Sequence, residues 1–228
     1  MEKFMLISHA SAGAMVLLTG LLNFINKKGG KLHKKLGITY VLGMAWIFVS
    51  AILIITFYRF SAFLMVVGVV SFYATFTGYR VTKRKKLGEH TWVDLGASGL
   101  TMAFGMGLVG YGFYVGSVAG FGVPLAILSY IFGFFTAFAA YRDLAFLLKP
   151  REETYKLWWL RQHISAIGGS YIAAITAFAV QNGDRIMGGS QYQWLLWLIP
   201  TVIFTPAIVF FQRKLKTKKE HITVSAGA

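Results

Sequence analysis

The chain lacks cysteine altogether and carries few charged side chains. None of its 228 residues is cysteine, and charged residues make up 14% of them. The absence of cysteine excludes disulfides, thiolate metal sites and covalently attached haem. Soluble domains have about 25% charged residues, whereas 56% of this chain is hydrophobic. One soluble core of this size cannot hide that excess, so lipid must be the solvent for much of the surface.

The common catalytic and nucleotide-binding motifs are also missing. The sequence contains no Walker loop, Rossmann glycine motif, HExxH zinc motif or GxSxG elbow. The net charge of +15 would suit a nucleic-acid-binding protein. However, the basic residues fall in short clusters between long uncharged runs, which is typical of membrane orientation signals. We therefore expect lipid, and no nucleic acid, as a partner.

Long apolar runs predict an all-α integral membrane protein with a bundle of seven transmembrane helices. At about 1.5 Å per residue, each run is long enough to cross a hydrocarbon core of about 30 Å. The first run follows no basic segment, so we interpret it as a retained helix and not as a signal peptide. The uncharged stretch 95–141 is too long for one helix, and residues 116–124 divide it. The predicted helices cover residues 4–26, 36–58, 60–80, 94–115, 123–142, 158–180 and 192–212. They form one domain over residues 1–228, with a basic tail at 213–228.

The distribution of lysine and arginine predicts the orientation of this bundle. Four basic clusters occupy residues 27–35, 80–86, 142–156 and 213–219. The alternate loops and the N-terminus hold only Lys3, Arg59 and Arg185. The positive-inside rule therefore places the N-terminus outside and the C-terminus in the cytoplasm. The basic loops can attract anionic lipid. We expect a multi-pass protein of the plasma (inner) membrane.

Histidines are the residues that could carry chemistry. His9 lies near the outer end of helix one, where it either hydrogen-bonds a neighbouring carbonyl, lies in the membrane interface, or acts as a ligand or proton carrier. His33 falls in the first basic loop, where it is either solvated or a ligand. His163 lies one turn inside helix six and is the strongest ligand candidate. Gly37 follows His33 by one turn, which leaves volume beside the ring for a porphyrin.

His90 and Asp94 form a further candidate pair at the start of helix four. If that helix begins by His90, the two side chains share a face, and a carboxylate can orient a ligating histidine. Alternatively, Asp94 is simply favoured in a first helical turn by the helix dipole. His33, His90, Asp94 and His163 together would also supply suitable zinc ligands.

Two helices carry small residues at four-residue spacing. In helix four these are Gly99, Ala103 and Gly107, and in helix six Ser165, Gly169, Ala173 and Ala177. Such stripes allow close helix packing, or they form a groove for a flat cofactor.

Several segments resemble an uncharacterised group of bacterial membrane proteins of unknown function. The likeness rests on His9 with Gly13, on residues 32–40 (LHKKLGITY), on residues 77–80 (TGYR), and on residues 161–163 (RQH) with the small-residue run that follows. Members of that group are similar in pairing a first-helix histidine with a His-basic-x-x-Gly-x-x-Tyr start to helix two. The resemblance implies a multi-helix membrane protein with recurring histidines, and it supplies no activity.

Three functional hypotheses follow, beside the option of a membrane partner subunit without chemistry of its own, and whether the chain is an enzyme stays open. The first is a protein that binds haem b for electron transfer or redox sensing, because His33, His90 and His163 lie on one side of the membrane and two imidazoles can ligate one haem iron. The second is a transporter or sensor of a small solute or ion. The third is a zinc-dependent membrane hydrolase. The redox partner or small-molecule ligand is not identified by the sequence.

Overall fold

The computed structural model describes residues 1–58, 61–149 and 157–225, with side chains at all of these positions except 62, 63, 124 and 216–225. Arg59, Arg151 and Lys156, which were used above for the orientation, lie outside the described residues. The described part of the chain contains eight helices and no strand. The helices are α1 (Glu2–Ile25), α2 (Lys31–Phe57), α3 (Ala62–Arg80), α4 (Trp92–Ala119), α5 (Pro124–Leu148), α6 (Trp158–Gln181), α7 (Gly183–Met187) and α8 (Leu195–Ser225).

Among the described residues, six helices are long and apolar enough to cross a membrane, as in a multi-pass membrane protein. They are α1, α2, α4, α5, α6 and the part of α8 that ends at Leu215. The predicted third span, α3, is a helix but does not belong to this set. It has 19 residues, which corresponds to about 28 Å of helix.

The helices divide between two compact units. The first contains α1, α2, α3, α6, α7 and α8, and the second contains α4 and α5. In the first unit, α1 contacts α2 and α6, and α3 also contacts α2 and α6. These four helices therefore form a bundle in which α2 and α6 occupy opposite corners. Helix α8 packs against α6, and its Phe204 contacts the rings of Phe24 and Tyr171.

The core of the first unit contains aromatic side chains, and glycine allows its helices to approach closely. Val16, Tyr40, Met44 and Tyr171 are its buried centre. A Cβ atom on Gly43 would lie 2.6 Å from Val16 Cγ2, so only glycine lets α1 and α2 approach this closely.

In the second unit, α4 and α5 form a hairpin of closely packed helices. Gly120, at a φ of 99°, ends α4, and Pro124 occupies the first turn of α5. This confirms the predicted division of the long uncharged stretch. A Cβ atom on Gly105 would lie 2.5 Å from the Ala137 backbone nitrogen. The two backbones are thus in contact where neither residue 105 nor residue 133 has a side chain.

Several helix boundaries differ from the predicted ones. Helix α2 begins at Lys31 and not at residue 36, because Gly30 acts as its N-cap and the lysines after it are good helix formers. Helix α8 continues to Ser225, so the predicted basic tail is largely helical. The short helix α7 was not predicted.

Candidate functional site

The structure brings two of the predicted histidines together at one end of the four-helix bundle. The His33 and His163 rings have centroids 6.4 Å apart and are nearly perpendicular, at 79°. His33 lies in the first turn of α2, so its predicted position in a loop is wrong. Because α2 and α6 occupy opposite corners of the bundle, this pair spans its interior.

The orientation of His163 is fixed by the backbone of α3. Its Nδ1 lies 2.8 Å from the Gly78 carbonyl oxygen. A carbonyl only accepts, so Nδ1 carries the proton and Nε2 carries the lone pair of the neutral ring. This carbonyl is within reach because Gly78 has no side chain: a Cβ there would lie 2.9 Å from Ile167 Cγ1. A backbone carbonyl on the second nitrogen is the usual support of a ligating histidine.

Asn23, near the end of α1, determines the state of His33. The Asn23 carboxamide matches the donors and acceptors around it when its oxygen accepts a hydrogen bond from the Gly37 backbone N–H, at 3.0 Å. Its nitrogen then donates to His33 Nδ1 at 3.2 Å and to the His33 carbonyl oxygen at 3.3 Å. The Asn23 side chain also lies 3.7 Å from a Cβ built on Gly37. The volume that was predicted beside Gly37 is therefore occupied by Asn23.

Lys28 caps the end of α1 beside this pair. Its Nζ donates to the carbonyl oxygens of Asn23 and Phe24, at 2.7 and 2.6 Å, and lies 4.7 Å from the centre of the Phe211 ring. Partial burial lowers the pKa of Lys28.

A chain of hydroxyl groups lies two turns deeper in the same bundle. Tyr40 Oη lies 2.8 Å from Ser170 Oγ, Ser170 Oγ lies 2.5 Å from Thr75 Oγ1, and Thr75 Oγ1 donates to the Ser71 carbonyl oxygen at 2.9 Å. Since that carbonyl only accepts, the bonds have a single direction, from Tyr40 through Ser170 to Thr75. Tyr40, Thr75 and Ser170 are all buried. These hydrogen-bonded hydroxyl groups were not predicted from the sequence, although Ser170 stands out as a polar residue among small apolar ones.

His9 makes a separate contact between α1 and α2. Its Nδ1 lies 2.8 Å from Ser50 Oγ. The Ser50 hydroxyl is directed to the Trp46 carbonyl oxygen at 2.7 Å, so its oxygen accepts from His9. His9 is thus hydrogen-bonded to the neighbouring helix, and its role as a ligand or proton carrier stays a prediction.

His90 and Asp94 do not share a helix face. Helix α4 begins at Trp92, so His90 precedes it and the predicted four-residue relationship is wrong. Asp94 Oδ2 accepts from the backbone N–H and the hydroxyl of Thr91, both at 2.9 Å, and its Oδ1 lies 3.6 Å from Arg84 Nε. Asp94 therefore completes a capping box and neutralises a buried arginine, as expected if its role is structural.

Neither predicted stripe of small residues packs against another helix at its glycines. A Cβ on Gly169, Gly99 or Gly107 would meet nothing within 4 Å. The packing glycine of α6 is the neighbouring Gly168, where a Cβ would lie 2.5 Å from Ile208 Cδ1. In α4 it is Gly105. The predicted packing role of Gly169 is therefore wrong by one residue, which is about 100° of rotation around the helix.

Within the part of the chain that the structure describes, no group of three or more His, Cys, Asp and Glu side chains is placed to hold a metal ion. Comparisons with protein-family models, curated proteins and solved structures found no match for this chain. The His33–His163 pair is therefore the candidate site in the described part of the chain.

Proposed function

We propose that this protein is a b-type cytochrome of a bacterial inner membrane, with seven spans, its N-terminus outside and its C-terminus in the cytoplasm. His33 and His163 would hold the haem iron near the cytoplasmic face. The bacterial origin is proposed from the resemblance of the sequence to a group of bacterial membrane proteins. The orientation is supported by the basic loops, which would also contact anionic lipid.

The observation that carries the proposal is the separation of the two rings across the bundle. Two imidazole rings that lie close together on facing helices would together hold one haem iron. The observed separation is 6.4 Å. Cofactor sites in helical bundles are commonly built from side chains on facing helices around the interior.

His163 is better prepared to bind a haem iron than His33 is. His163 already has its Nδ1 proton on a carbonyl, so its Nε2 lone pair is ready for a metal. His33 accepts a hydrogen bond at Nδ1, so its neutral ring carries the proton on Nε2 and must exchange it before ligation. When bound, haem b would supply a one-electron redox centre, while the protein orients both rings.

An absorption spectrum tests the proposal. The protein is purified in detergent after expression with haem supplied, and spectra are recorded before and after reduction with dithionite. We expect a Soret band that His33→Ala and His163→Ala remove and that His90→Ala, the matched control in the other unit, retains. A colourless wild-type protein would refute haem binding.

A proton-coupled transporter or sensor is a second candidate, favoured by the hydroxyl chain. Tyr40, Ser170 and Thr75 form hydrogen bonds of one direction in the bundle interior, and polar groups at such depth often mark solute or proton pathways. Proton flux into proteoliposomes under an imposed potential, followed with an internal pH dye, tests this function. We expect Tyr40→Phe to reduce the proton flux. A wild-type flux equal to that of empty liposomes would exclude proton transport.

A zinc-dependent hydrolase has less support. It would need His33, His90, Asp94 and His163 as ligands, and Asp94 is occupied by Thr91 and Arg84. Zinc analysis of the purified protein checks this alternative, because a structural or catalytic site would retain about one ion per chain.

A further inference from the structure

The orientation of the Asn23 carboxamide is assigned from the groups around it, and one orientation allows three hydrogen bonds around His33. Its oxygen faces the Gly37 N–H, and its nitrogen faces both Nδ1 and the carbonyl oxygen of His33. Turning the carboxamide over would place its nitrogen against an N–H group and its oxygen against a carbonyl. The two backbone partners therefore hold the amide nitrogen toward the ring.

An amide nitrogen only donates, so His33 Nδ1 must accept and the proton of the neutral ring resides on Nε2. Ligation through Nε2 requires the reverse arrangement, with the lone pair on Nε2 and the proton on Nδ1. His163, whose Nδ1 donates to a carbonyl, already has that arrangement. The neighbours of His33 and His163 therefore favour different tautomers of the two rings.

We propose that Asn23 is a positioning residue that holds His33 in the Nε2–H tautomer and so weakens its use as a metal ligand. This inference rests on the proposed haem site and concerns its regulation. Binding of iron at His33 Nε2 requires the Asn23 carboxamide to turn and give up its bonds to the α2 backbone. The affinity for haem is therefore lower than two preorganised histidines would provide.

The variant Asn23→Asp tests this inference because a carboxylate can accept from His33 Nδ1–H and from the Gly37 N–H together. Groups of this kind change metal affinity by about 10–100-fold, so we expect the dissociation constant of haem to fall by about tenfold. We also expect a lower midpoint potential, because a carboxylate makes the ligating ring more basic. Asn26→Asp is the matched control, since it adds the same charge near the end of α1, where the Asn26 carboxamide oxygen accepts from the Lys27 N–H.

A second measurement needs no haem. In haem-free protein with ¹⁵N-labelled histidine, nitrogen chemical shifts report which ring nitrogen of His33 is protonated. We expect the Nε2–H tautomer in the wild type and in Asn26→Asp, and the Nδ1–H tautomer in Asn23→Asp. An Nδ1–H tautomer in the wild type, or an Asn23→Asp variant that binds haem no better than Asn26→Asp, would overturn the role of Asn23. Colourless preparations of all variants would instead overturn the haem site, while the tautomer still decides the role of Asn23.

Discussion

Replacing Gly105 with alanine should separate α4 from α5. The added Cβ would lie 2.5 Å from the Ala137 backbone nitrogen and 2.8 Å from the Gly133 carbonyl oxygen. Both neighbours are backbone atoms, so no side chain can rotate away and the two helices themselves must move. Overpacking of this kind typically costs about 1–3 kcal/mol. We expect Gly105→Ala to lower the free energy of unfolding by at least about 1–3 kcal/mol, because α4 and α5 lose their close backbone contact at this position.

Gly107→Ala is the matched control for this prediction. It lies on the same helix, and its Cβ would meet nothing within 4 Å. Alanine is also a better helix former than glycine by about 1 kcal/mol in water. Unfolding by SDS in detergent micelles, followed by circular dichroism, gives the free energy of unfolding of all three proteins. If Gly105→Ala is as stable as Gly107→Ala, the close approach of the two helices is wrong.

Three further predictions use the same comparison of free energies of unfolding. Gly168→Leu should destabilise the protein because its side chain would collide with Ile208, whereas Gly169→Leu should be tolerated; the opposite order would contradict the observed rotation of α6. Tyr40→Phe should cost about 0.6–1.7 kcal/mol, the range for hydrogen bonds between membrane helices, because it removes the bond to Ser170. Tyr114→Phe, at an exposed position, is its control, and equal stability of the two variants would count against the hydroxyl chain. Asp94→Asn should cost about 3 kcal/mol because it removes the buried carboxylate that lies 3.6 Å from Arg84 Nε. Asp184→Asn, which changes an exposed carboxylate, should cost much less.

Helix positions were largely predictable because each span is a long uncharged run, and lipid requires such runs to be helical. The boundaries were less predictable. Charged residues were read as the ends of spans, yet Lys31, Lys34 and Lys35 lie within α2 because a helix can continue beyond the apolar core. That extension moves His33 from a loop into a helix, and a helical His33 has a defined direction toward the bundle interior.

The pairing of histidines was only partly predictable. Charge distribution places His33, His90 and His163 on the same side of the predicted bundle, but it does not determine which helices are neighbours. The choice of His33 with His163 depends on α1 and α3 separating α2 from α6 at opposite corners, and that arrangement comes from glycines such as Gly43 and Gly78. Spacing alone also pointed to Gly169 and not Gly168, because a periodic stripe does not identify which side of a helix faces a neighbour.

The contrast between His33 and His163 could not be predicted from the histidines themselves. Both follow basic or interfacial residues and both begin a helix, yet a carbonyl fixes one ring and a carboxamide fixes the other. A backbone carbonyl can only accept, so Gly78 can prepare His163 in only one way. Asn23 presents both a donor and an acceptor, and its orientation is decided by the α2 backbone on its other side. The reactivity of His33 is therefore set by a residue on a third helix, which is why Asn23 is the position where small chemical changes should alter the site most.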